Sequence, residues 1–287
     1  MKKSLDASVG LVLTLNFAFI WIIPIAGMGM TWKYLGVRHM LLPIYEFLDS
    51  QKFIRKFAGN YIYMKEKHCD YFLPSVFLIL STFASLTTVF YWQLKYKELP
   101  WWLIAVYYCS WVGIGGRTMG AAYSLAHREG HSSWMYRKWI RQHIGNFFEN
   151  VVGLFYGNVP WNFTTSHVFI HHATQGAMGD TFYLWDFDRT SLFDFLLYVA
   201  RVFPHCTGSS SVEYFKATGR IEKAELLQQG QIIFVLVGLV ILAVTQSLHF
   251  TWWIYIEPFL GMNFFLALIN VGFHGNRNLR QFIDTTI

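Results

Sequence analysis

Five apolar runs divide this chain, and a long polar stretch separates the third from the fourth. Residues 9–30, 71–94, 101–123, 231–250 and 252–273 each approach or exceed the length of about 20 residues that a helix needs to cross a bilayer. The KYKELP turn with Pro100 joins the second and third runs into a helical hairpin. Gly113, Gly115, Gly116 and Gly120 fall in the third run, where small residues permit close helix approach or, as a second reading, shape a substrate channel. Between the first two runs, residues 31–71 mix Lys33, Arg38, Lys52, Arg55, Lys56, Lys65 and Lys67 with aromatic and aliphatic side chains, the pattern of segments lying in a membrane interface. In the polar middle, 124–230, the apolar stretches are short or interrupted. Residues 147–163 and 191–203 read as re-entrant or interfacial, and 219–230 as a solvated helix leading into the fourth run. The pattern predicts an all-α, polytopic membrane helical protein forming one domain over 1–287, with four to five transmembrane helices.

Composition strengthens that reading. The chain is 54% hydrophobic and only 14% charged, against about 25% charged in soluble domains. A net charge of +6 would suit nucleic acid in a soluble protein. In a membrane protein, basic residues mark the cytoplasmic side and meet anionic lipid or an acidic partner, so no nucleic acid is expected. If the basic stretches 31–71 and 124–230 are both cytoplasmic, the polar middle faces the cytosol. Cys69, Cys109 and Cys206 are widely separated, with no Cys-x-x-Cys. They read as ordinary core thiols.

Candidate chemistry is concentrated in the polar middle. HREGH, residues 127–131, and HVFIHH, residues 167–172, hold five of the eleven histidines. Residues four apart stand one above the other on a helix, so His127 pairs with His131 and His167 with His171. His172 then projects about 100° further round, toward a second metal beside the first. Imidazole is a good ligand for Zn, Cu, Fe and Ni. A zinc-protease motif would need Glu directly after the first His, where Arg128 stands. A carboxylate-bridged di-iron bundle would need Glu-x-x-His, and no Glu here has a His three residues later. A histidine-rich metal site remains. Glu129 and Asp180 lie beside the clusters, where a carboxylate can orient a ligating imidazole, and Trp161 precedes the second cluster. An interfacial anchor is one reading for Trp161, and a solvated carboxylate the other for Glu129.

A helical hairpin, His-x-x-x-His, a second cluster ending in His-His, another hairpin and a further His together resemble the integral-membrane fatty acid desaturase and hydroxylase superfamily over roughly residues 72–274. That family's second cluster usually reads His-x-x-His-His, so HVFIHH carries one extra residue. LINVGFHG adds an Asn-x-x-x-His at Asn270 and His274. The resemblance implies a di-iron site with His127, His131, His167, His171, His172 and His274 as ligands and Asn270 bound through water. It further implies an oxidoreductase of an endoplasmic reticulum membrane, using O2 to dehydrogenate an acyl chain presented as acyl-lipid or acyl-CoA. The electron donor would be a cytochrome of the b type or a ferredoxin. The alternatives are a hydroxylase on the same scaffold and a non-catalytic homologue. The family's third cluster, His-x-x-His-His after the last span, has no counterpart in GNRNLRQFIDTTI. The expectation is a shortened product of a longer desaturase, with substitution by His143, His205 or His249 as the alternative.

Overall fold

In a computed structural model the chain is described over residues 2–174, 179–188 and 190–274, without the side chains of Val37, Arg38, His39, Ser133, Phe273 and His274. Among the described residues the molecule is helical, and a single antiparallel bridge between Tyr63 and Tyr136 is its one extended pairing. The principal helices are α1 (Lys2–Tyr34), α2 (Val37–Ser50), α3 (Phe72–Tyr96), α4 (Trp101–Val112), α5 (Arg117–His131), α6 (Phe163–His171), α7 (Leu192–Cys206), α8 (Ser209–Ala217), α9 (Ile221–Thr245) and α10 (Leu248–Gly272). Shorter helical turns connect them. Among the described residues, four helical stretches are long and apolar enough to cross a membrane: Lys2–Tyr34, Glu66–Tyr96, Ile221–Thr245 and Leu248–Gly272. On α9 an apolar stripe of Ile232, Val235, Leu236, Leu239, Val240 and Val244 is exposed, at the three- and four-residue spacing of one helix face.

The expected third span is a pair of helices. Gly113, Gly115 and Gly116 all have positive φ, at 70°, 62° and 74°, so α4 ends and α5 starts in a new direction. A Cβ at Gly113 would lie 1.9 Å from Thr118 Oγ1. Gly115 also admits the close approach of α1, since a Cβ there would lie 2.9 Å from Trp32 Cγ, whereas Gly116 and Gly120 have open space beside them. Trp32 of α1 covers the turn, with the Arg117 guanidinium 4.4 Å above its ring.

Residues 191–203, expected at the interface, belong to α7, which packs along α1 and against α10. Gly10 permits that approach, because a Cβ there would sit 1.9 Å from the Leu196 carbonyl oxygen. The segment 219–230, expected to be solvated, runs into the fourth span as α9 from Ile221 and buries Ala224, Leu227 and Gly230. Inside the bundle, Trp21 stacks on Tyr108 and lies beside Trp111, which stacks in turn on Tyr156. The buried Glu257 on α10 accepts hydrogen bonds from Asn16 and Trp21 of α1. Both bonds reach Oε1, while Oε2 is buried without a hydrogen-bond donor.

Candidate metal centre

α5 follows the left-handed Gly116 and buries Met119, Ala122, Leu125, Ala126 and Glu129. This near-helical spacing seats one face in the core. His127 and His131 flank that face, with their Nε2 atoms 3.0 Å apart. Glu129 lies between them in sequence but turns away from both rings. Its carboxylate accepts from the Tyr136 hydroxyl at 2.7 Å and from the Glu149 backbone N–H at 2.8 Å.

α6 is wound differently. The backbone N–H of His172 donates to the carbonyl of His167, five residues back, which is the wider π-helical turn. In an α-helix His167 would align with His171. Widening the turn carries the alignment on by one residue, and the Nε2 atoms of His167 and His172 stand 3.0 Å apart. His171 is rotated away, its Nδ1 2.7 Å from Asp180 Oδ2 and its ring stacked on Phe182. The expected pairing of His167 with His171, and the separate direction for His172, are thus exchanged.

The two helices meet at the histidines. His167 Nε2 lies 2.7 Å from His127 Nε2, and the ligand atoms of His127, His131, His167 and His172 all fall within 4.8 Å of one another. Such a group could hold a metal ion. Two nitrogens about 2.1 Å from one ion lie roughly 3 Å apart at a right angle, somewhat more at a tetrahedral one. Hydrogen bonding alone satisfies this arrangement poorly. Each imidazole nitrogen carries either one N–H or one lone pair, yet His127 Nε2 and His167 Nε2 each face two neighbours. A cation receiving four lone pairs removes the conflict.

Protonation favours the same outcome. Burial, then the neighbouring histidines, brings His127 down to about 4. Burial and the charge of His131 bring His172 to about 4 as well. His131 is lowered by burial and Arg128, and His167 is held well below the ordinary histidine range by burial and His127. All four are neutral near pH 7, the form that binds metal. Asp180 is held below the usual carboxylate range: burial alone would raise it, but the His171 hydrogen bond and charge prevail.

A buried carboxylate network, not foreseen from the sequence, fixes the spacing of the two helices. Glu149 accepts from the Thr164 backbone N–H at 2.7 Å, the Thr164 hydroxyl at 2.6 Å and the Asn146 amide at 2.8 Å. Its own N–H caps Glu129. The chain of bonds therefore runs from α5 through Glu129 and Glu149 to the first turn of α6. A lone Glu in the apolar run FFENVVGLF was the available signal, since a buried carboxylate requires donors.

The remaining expected residues lie elsewhere. Asn270 donates to the Tyr198 hydroxyl on α7 and is not in the four-histidine group. The His274 side chain lies outside the described residues. Trp161 has φ of 61°, donates its N–H to Asn150 Oδ1 and packs near Gly230 of α9, so it joins helices rather than facing the imidazoles. His143 is exposed and turned to the Trp139 carbonyl, while His249 sits against the Leu99 carbonyl and the ring of Trp101. Neither reaches the group. His205 is buried on Thr181 and Phe182 and lines a cavity of about 50 Å³ that also touches His167, Tyr123, Phe163 and Leu266. Compared with protein-family models, curated proteins and solved structures, the chain matched none of them.

Proposed function

We propose that this chain is a multi-pass membrane oxidoreductase of the fatty-acid-desaturase type, dehydrogenating an acyl chain at a histidine-held iron centre. Convergence of four neutral Nε2 atoms within 4.8 Å is the observation that carries the reading. Four long apolar helices and the exposed apolar stripe of α9 support placement in a bilayer, where an acyl substrate resides. The histidines on α5 and α6 supply a donor set of borderline softness that suits iron. His171 adds a further candidate ligand. Its Nδ1 lies 2.7 Å from Asp180 Oδ2, the carboxylate support that commonly orients a metal-binding imidazole.

Iron, when bound, would activate O2 to remove hydrogen from an unactivated methylene, chemistry beyond any side chain. The residues around it have simpler tasks. His127, His131, His167 and His172 would hold the ion. The Glu129–Glu149 network keeps α5 and α6 at the spacing that lets them do so, and apolar walls on the His167 side exclude bulk water. The cavity beside His167 admits a few water-sized molecules. Electrons would come from an external acidic donor such as a b-type cytochrome or ferredoxin, on the cytosolic face of the endoplasmic reticulum.

A second reading is a metal-binding homologue with no oxidative activity. It is favoured by the compactness of the group, which matches one ion rather than a pair. The test is metal content of the purified full chain, together with mass spectrometry of lipid extracts from cells that express it. Iron in the protein and products lighter by one hydrogen molecule are expected. Products heavier by one oxygen atom would assign a hydroxylase. Bound metal with unchanged lipids would establish the second reading, and no metal uptake would remove both.

A further inference from the structure

Three of the four grouped histidines are partly covered, and His172 alone among them is exposed. Its open flank forms one wall of a surface groove of about 490 Å³ between α6 and the first turn of α9. The groove is lined by Val168, Phe169, His172, Ala173, Arg220 and Lys223. Two of these six carry permanent positive charge, and none is acidic. Glu222 and Glu225, on the same helix, are exposed but do not line the groove.

Both cations are held over the groove. One guanidinium nitrogen of Arg220 donates to the Phe169 carbonyl at 3.3 Å, and the Lys223 ammonium rests 4.2 Å above the Phe169 ring centre. The shared anchor keeps the charges together, while the apolar part of the groove comes from Val168, Phe169 and Ala173. Arg220 immediately precedes, and Lys223 lies within, the first turn of a helix long and apolar enough to cross a membrane. In such a helix, that turn lies at headgroup depth, where lysine and arginine meet phosphate.

We infer that the Arg220–Lys223 groove binds the phosphate of a lipid headgroup and so seats a phospholipid substrate, headgroup first, against the His172 side of the metal centre. The site is chosen by charge complementarity: an anion with an apolar chain matches two fixed cations above an apolar floor. Guanidinium and ammonium donate to phosphate oxygens with charge assistance, while neutral lipids gain no such bond. The assignment of this lipid as substrate rests on the proposed oxidoreductase function, but the binding itself does not.

The experiment uses the full chain in a neutral maltoside detergent, with affinities measured by calorimetry for short-chain phosphatidate, the matching diacylglycerol and inorganic phosphate. Phosphatidate is expected to bind at least about tenfold more tightly than diacylglycerol, with Arg220→Gln and Lys223→Gln each losing about tenfold. Arg220→Lys is expected to restore most of the loss. Inorganic phosphate bound as tightly as phosphatidate, and lost in the same variants, would assign the groove to free phosphate and overturn the lipid inference. Equal affinity for phosphatidate and diacylglycerol would also overturn it, as would a double variant that keeps its helical circular dichroism, its metal content and full phosphatidate affinity. If an acidic donor protein loses binding in that variant while phosphatidate does not, the groove is a protein-docking surface and the inference falls. Metal content is read in the same samples. Phosphatidate bound without metal uptake would remove the proposed function and leave the headgroup site standing.

Discussion

The two histidine-bearing helices carry the same four-residue spacing, His127 to His131 and His167 to His171, yet the first brings two Nε2 atoms together while the second only stacks the rings. α5 is regularly wound, so residues four apart share a face. α6 closes its bonds over five residues and pairs His167 with His172 instead. Spacing has meaning only together with the winding of the backbone. The extra residue in HVFIHH, relative to a His-x-x-His-His pattern, is absorbed by the wider turn. The first and last imidazoles then arrive where a regular helix without that residue would put them.

The largest test of this difference compares His167→Ala with His171→Ala. His167 contacts imidazoles on both helices, so its loss should weaken cobalt(II) binding, read from the visible spectrum, by more than about 100-fold. His171→Ala should stay within the roughly 10- to 100-fold range of residues that support a metal site. Equal losses would show that the four-residue spacing operates in both helices after all.

A second contrast is with exposed histidines, which take up protons near pH 6.5. The proton and the metal compete for the same lone pair, and His127 and His172 are lowered to about 4. Metal should therefore remain bound as pH falls through 6 and be released nearer 4. Without metal, the buried neutral rings destabilise the fold progressively as pH drops from about 6.5 toward 4, because the unfolded chain accepts protons first. Melting temperatures against pH, with and without cobalt, measure both effects. Release centred at pH 6.5 would mean that the rings are solvated.

Glu149→Ala probes what holds the helices together. The change leaves the Thr164 N–H, the Thr164 hydroxyl and the Asn146 amide without their acceptor. A loss of about 3 kcal/mol in unfolding free energy is expected, with about tenfold weaker cobalt binding as α6 shifts against α5. Stability lost with unchanged affinity would confine the network to folding.

The smallest effect is expected from shortening α6 by one residue. Deleting Val168 or Phe169 should let α6 wind regularly and keep the present His167–His172 pair at four-residue spacing. Cobalt affinity should stay within about tenfold of the parent, because π-helical turns are single-residue irregularities that a regular helix can replace. Complete loss of binding after either deletion would show that the wide turn also places groups beyond the pair.

Much of the architecture was legible in the hydrophobic pattern, because apolar runs of that length have few alternatives to a helix. The sequence signalled the polar middle and the two clusters, and it placed Asp180 close enough to reach an imidazole. It misread the third run, where Gly113, Gly115 and Gly116 turn the backbone through positive φ. Hydropathy is blind to such a turn because it counts side chains and not dihedral angles. It also left Glu149 unmarked, since a single carboxylate in an apolar run declares a need for donors without naming them.

By itself, then, the order of residues determined an all-helical chain with lipid-like segments and two groups of imidazoles in a polar centre. Which imidazoles meet was decided only when the chain packed. The π-helical winding of α6, the Glu129–Glu149 network between α5 and α6, and the pull of Asp180 on His171 are all relations between segments distant in sequence or in turn geometry. A helix periodicity assigns side chains to faces. Only a neighbouring helix, with its hydrogen-bonding demands met, determines which face a backbone turns toward it.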